Sequence, residues 1–143
     1  DDFEGQPCFI GLDLSATKDM TGLAYVFPDG HDDDNRPKFA LFAKGYTPQA
    51  TLAQRELTDR APYTVWARDG WLVATDGSVV RYDKLAYDIL QDAARFDIQA
   101  IAYDKWLIRL DLGKAFADRG QSRASVGGGV CLLLDIASGF APL

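Results

Sequence analysis

Histidine and cysteine are nearly missing from this chain. Among 143 residues there is one histidine, His31, and there are two cysteines, Cys8 and Cys131. A structural zinc site needs about four such ligands, usually in closely spaced pairs, so the supply of ligands argues against zinc. The two cysteines are far apart in sequence and read as reduced thiols of a cytosolic protein. A lone histidine on a polar stretch is thin support for a hydrolytic triad around Ser15. No apolar run approaches the ~20 residues of a membrane span. The opening Asp1-Asp2-Phe3-Glu4 is acidic, unlike a secretory signal. Positive charge is scarce as well: 15 Lys and Arg stand against 21 Asp and Glu, for a net charge of −6. This balance argues against binding nucleic acid by bulk electrostatics. It leaves room for an acidic site that works through bound cations, because a cation reverses the local field.

What remains is a chain with the composition of an ordinary globular domain, 48% hydrophobic and 25% charged, long enough for one core. Alternation predicts a first strand over residues 9–14, with Ile10, Leu12 and Leu14 on one face and Phe9, Gly11 and Asp13 on the other. A turn at Ser15-Ala16-Thr17-Lys18 leads to a second strand over 20–27, ended by Pro28-Asp29-Gly30. A polar loop and a third strand over 39–46 complete an antiparallel meander. Thr47-Pro48 reads as the start of a helix through Leu52 and Leu57. Residues 71–75 suit a strand ended by the Asp76-Gly77 turn. Residues 82–96 form an amphipathic helix pattern with Leu85, Ile89, Leu90, Ala93 and Phe96 on one side. A buried strand over 98–103 and a helix over 107–118 follow, the latter with Gly120 just beyond its end. The fold class is therefore α/β: a mixed sheet of a three-strand antiparallel meander plus a parallel strand, flanked by helices. The pattern is that of one domain over residues 1–126, with an atypical tail over 127–143.

Two apolar runs end in aspartate. Ile10-Gly11-Leu12-Asp13 is the first and Ile101-Ala102-Tyr103-Asp104 the second, and Asp19 lies across the turn from Asp13. If the two strands are parallel neighbours, both acids emerge at one C-terminal sheet edge, where open α/β sheets bind ligands. Gly11, Ala100 and Ala102 leave room above them. Three carboxylates that close repel unless a cation neutralises them. Oxygen ligands without histidine or cysteine favour Mg²⁺ or Mn²⁺. Two such ions can support phosphodiester hydrolysis. The plainer alternative is that each aspartate caps a turn or pairs with its neighbouring lysine, Lys18 or Lys105. Lys105 and Arg109, at i and i+4, share a helix face that is either solvated or basic for a reason, and Trp106 lies two residues past Asp104. The run Asp29-Gly30-His31-Asp32-Asp33-Asp34-Asn35 lacks the glycine and glutamate spacing of a calcium loop and reads as solvated. Val126-Gly127-Gly128-Gly129 is followed by none of the residues of a phosphate loop. A strand, an aspartate and a Ser/Thr turn also open sugar kinases and actin-like ATPases, but the second glycine-rich phosphate motif of that class is not seen.

The string Cys8-Phe9-Ile10-Gly11-Leu12-Asp13-Leu14-Ser15, followed by Lys18-Asp19-Met20-Thr21-Gly22-Leu23, resembles the opening of the nuclease domain in large terminase subunits of tailed bacteriophages. Ile101-Ala102-Tyr103-Asp104-Lys105-Trp106 resembles the second acidic strand of that family. The resemblance covers roughly residues 3–120. It implies a ribonuclease H-like fold and metal-dependent cutting of concatemeric double-stranded DNA in the cytoplasm of a bacterial host. It carries Asp13, Asp104 and Asp19 over as metal ligands to Mg²⁺ or Mn²⁺. Around them, Lys18, Lys105, Trp106 and Arg109 are the candidates to meet DNA. The partners it implies are a packaging ATPase domain, a small terminase subunit and a portal; no membrane is involved. The family also supplies a late aspartate after the second acidic strand. Asp135 is the late acid of this chain, and its surroundings do not match the family. The competing expectation is thus a catalytically incomplete remnant or a non-catalytic module of the same fold.

Overall fold

The computed structural model describes residues 2–14, 20–103, 125–126, 129–130, 132–135 and 141–142. Strand β1 (Pro7–Asp13) lies between β2 (Thr21–His31), antiparallel to it, and β5 (Asp97–Tyr103), parallel to it. Strand β3 (Pro37–Pro48) pairs antiparallel with β2, and β4 (Leu72–Thr75) pairs parallel with β3. Beyond β5 come β8 (Leu132–Asp135), parallel, and β9 (Ala141–Pro142), antiparallel to β8. The sheet order is β4-β3-β2-β1-β5-β8-β9. Two short strands, β6 (Ser125–Val126) and β7 (Gly129–Val130), pair with each other. The meander, the parallel fifth strand and the short fourth strand follow the sequence pattern.

Period-2 burial explains the sheet. Cys8, Ile10 and Leu12 of β1 are buried, as are Thr21, Leu23, Tyr25 and Phe27 of β2, while the residues between them are partly or fully exposed. Helix α3 (Tyr82–Ala93) lays Leu85, Ala86, Ile89 and Ala93 on that buried face. On the opposite face, at the β4 side, α1 (Leu52–Asp59) and α2 (Tyr63–Arg68) close a smaller cluster of Leu52, Tyr63 and Leu72.

Three expectations need correction. Thr47 and Pro48 do not begin a helix; they continue β3, because β4 pairs with them at Ala74 and Thr75. Proline fits there, since its fixed φ of −65° with ψ of 132° is extended backbone. A short 3₁₀ turn (Gln49–Thr51) then leads to α1 at Leu52. Pro28-Asp29-Gly30 does not end β2, which runs to His31 with a register irregularity after Pro28. Helix α3 stops at Ala93 rather than at 96. Phe96 packs from the following turn against Phe27, with ring centroids 5.0 Å apart. The expected helix over 107–118 lies outside the described residues.

Helix α3 also docks through charge. Asp92 is buried, and the Tyr25 hydroxyl donates to it at 2.6 Å. Lys44 and Arg95 each approach Asp92 at 3.7 Å. One turn earlier, Asp88 accepts a hydrogen bond from Tyr46 at 3.0 Å and pairs with Lys84. Burial, with the facing aspartates, pushes both tyrosine hydroxyls well above their ordinary range, so they remain donors. A buried carboxylate without such partners would cost several kcal/mol, on the order of 3–5.

Two outcomes test this packing. Ile89→Ala removes a fully buried side chain from the centre of the α3 contact. It should lower stability by about 2–5 kcal/mol in urea denaturation. The Cys8 thiol, pushed by burial from its ordinary 9.0 to about 11, should resist a disulfide reagent at pH 8 in a Cys131→Ser background. Because the unfolded chain releases that proton first, the contribution of Cys8 to stability is complete below pH 9.0 and declines as pH rises toward about 11.

Candidate functional site

Asp13 ends β1, a strand with sheet partners on both sides whose buried face shares its core cluster with α3. Alternation puts it on the face opposite the main core, and its side chain is exposed. The registers Asp13↔Gly22, Gly22↔Gly45 and Gly45↔Leu72 form one row across four strands. Paired residues in a row share a sheet face. Two glycines therefore follow the acid. A Cβ added at Gly11 would meet nothing within 4 Å, and one at Gly22 would meet only the Asp13 Cβ, at 3.9 Å. Among the described residues the result is an open floor beside an exposed carboxylate, bounded at the far end of the row by Leu72 under α1 and α2.

On the other side, β5 pairs with β1 as Gly11↔Ala102 and Leu12↔Tyr103. Asp13 and Asp104 are the next residues of the two strands in sequence. Asp104 itself lies outside the described residues, as do Asp19, Lys18, Lys105, Trp106 and Arg109. Strand β8 joins β5 with Tyr103↔Asp135, so the backbone of Asp135 falls level with Leu12, one position short of the Asp13 row. Among the described residues no three His, Cys, Asp or Glu converge as a metal cluster. What fits a hard cation here is an oxygen donor facing open space, with neither sulfur nor imidazole described beside it.

Sequence reading missed Gly45, whose place in the row appears only once β3 is registered against β2. The available signal was a glycine inside a strand, which marks close approach of other atoms. It missed the pairing of Asp88 and Asp92 with tyrosines as well. Trp66, 38% exposed, sets its ring 5.4 Å from that of Tyr63, and Trp71 is 62% exposed. Neither enters the described part of the acid row.

A central strand flanked on one side by an antiparallel meander and on the other by parallel strands, with an acid at its C-terminal end, defines a ribonuclease H-like α/β domain. Comparison with known proteins narrows the class. The family described as terminase large subunit, endonuclease domain, matches residues 1–125, and the chain belongs to it. The chain is 41% identical over 110 residues to the large terminase subunit of Enterobacteria phage HK97, a match covering 77% of this chain and 20% of that protein. The crystal structure of the HK97 bacteriophage large terminase is similar with a TM-score of 0.71 and 34% identity, covering 91% of this chain and 25% of that one. The chain thus spans about a fifth to a quarter of the relatives it matches.

The open floor makes a prediction. Gly11→Ala should fold normally, with a circular dichroism spectrum and melting midpoint close to those of the parent, because the added Cβ meets nothing within 4 Å among the described residues.

Proposed function

We propose that this chain is the metal-dependent nuclease domain of a phage DNA-packaging terminase, acting on double-stranded concatemeric DNA in the cytoplasm of a bacterial host. The observation that carries the reading is the placement of Asp13. It is exposed at the C-terminal end of β1, over a bare glycine floor, beside a parallel strand whose last residue immediately precedes Asp104. Asp13, Asp104 and Asp19 would hold Mg²⁺ or Mn²⁺. A bound pair of such cations supplies Lewis-acid polarisation of a phosphodiester and a more acidic water.

The chain's own part is to hold acceptor oxygens at a fixed sheet edge and to leave the floor clear for the phosphodiester backbone. Gly11 and Gly22 serve the second task. Lys18, Lys105 and Arg109 would bind DNA phosphates, and Trp106 would pack against the duplex. Local cations of this kind offset a net charge of −6 that would otherwise repel DNA. The packaging ATPase domain, the small subunit and the portal are the partners that the family implies.

A second reading has its own observation. The late acid Asp135 is level with Leu12 rather than with Asp13. That register favours a domain with an incomplete acid set, serving as a non-catalytic module of a packaging motor or persisting as a prophage remnant.

One assay separates the two. Supercoiled plasmid incubated with Mn²⁺ and the parent chain should be nicked, and Asp13→Ala should reduce nicking to the level without protein. Equal silence of parent and variant, with both folded by circular dichroism, selects the non-catalytic module.

A further inference from the structure

Of the glycines nearest the acid, two leave open space and one does not. At Gly45 an added Cβ would lie 2.5 Å from Met20 Sδ, 3.2 Å from Met20 Cγ and 2.9 Å from Leu72 Cδ1. Backbone conformation does not account for this glycine, because Gly45 is not among the residues with positive φ. Room for the Met20 thioether does. Met20 is partly buried and packs on the cluster of Leu52, Tyr63 and Leu72. It also stands directly after Asp19 in the chain and two residues before Gly22, the partner of Asp13.

We propose that Gly45 and Met20 are a positioning pair: the missing Cβ at 45 is a seat for the Met20 side chain, and the seat fixes the entry of β2 against Asp13. The inference rests on the reading of Asp13 as a divalent-cation ligand. The physical argument is one of leverage. The start of a strand is free to shift unless a side chain anchors it. Met20 is that anchor, unbranched and able to fill an irregular gap. It ties the start of β2 to α1, α2 and β4, and β4 is otherwise remote from β1 in the sheet order. The thioether is not itself a ligand, since sulfur is too soft for Mg²⁺ or Mn²⁺. Its role is to hold spacing, and hard cations such as Mg²⁺ demand near-ideal ligand geometry. Alanine at 45 would displace two flexible side chains rather than backbone, so the sheet should survive while the seat is lost.

The test measures Mn²⁺ affinity of the intact chain from the electron paramagnetic resonance signal of free Mn²⁺, beside thermal melting. Met20 is the chain's single methionine. A methyl-labelled methionine therefore supplies one internal signal, which bound Mn²⁺ should broaden in the parent. Gly45→Ala is expected to weaken Mn²⁺ binding by about tenfold, the scale of losing an orienting contact around a ligand set. Met20→Ala, which empties the seat without crowding the sheet, should do the same. Ile89→Val, a mild truncation on the far face, should lower the melting midpoint and leave Mn²⁺ affinity unchanged. Parent-like affinity in both seat variants overturns the proposal, and so does equal weakening in Ile89→Val, which would mean general softening. If the parent itself neither binds Mn²⁺ nor shows broadening at Met20, the metal reading of Asp13 fails, and the positioning role fails with it.

Discussion

The parallel pairing of β1 with β5 is the constraint on which the site depends. Two strands distant in sequence run side by side in one direction, so their C-terminal ends arrive at one edge. Residues 14–96 must be accommodated between them. The chain does this with the β2–β3 meander, the α1–α2–β4 excursion and α3, whose C-terminal turn delivers β5. The start of the pairing is irregular: the register shifts between Cys8 and Phe9. After that shift Gly11 meets Ala102, which keeps small side chains together under the acid edge.

The helix that covers the sheet is held by more than apolar burial. Asp88 and Asp92, one turn apart on α3, receive hydroxyls from Tyr46 on β3 and Tyr25 on β2. Apolar packing is non-directional, whereas these two bonds specify where α3 lies along the strands. Lys44 and Arg95 complete the charge balance of Asp92. The polar contacts thus stand on the face opposite the acid row, so the stabilising carboxylates and the candidate functional one do not compete for the same cations.

The two faces divide the work. One carries large side chains, among them Phe27, Tyr25, Ile10 and Ile101, and is closed. The other is thinned to glycine and alanine around Asp13. Among the described residues it is filled where Met20 crosses Gly45 and where α1 and α2 cover Leu72. Among the described residues the face that holds Asp13 is the open one, and it is the face that the proposed function assigns to DNA.

Much was legible from residue order alone. Alternation in β1 and β2 located strands and assigned their faces, because burial on one side imposes a period of two. The spacing of Leu85, Ile89 and Ala93 located α3. The aspartate-terminated strands and their neighbours carried the family resemblance. Pro48 was misread because proline suits both a helix start and an extended edge, and the partner that settled the matter, β4, is more than twenty residues away. Gly45 was invisible for a similar reason: its meaning lies in a register against Gly22 and in an atom of Met20 above it. Local periodicity is written in neighbours along the chain and can be read there. Which strands adjoin, which glycines align in a row and which side chain fills the gap are set by hydrogen-bond register and close packing between distant segments, and only the folded sheet decides them.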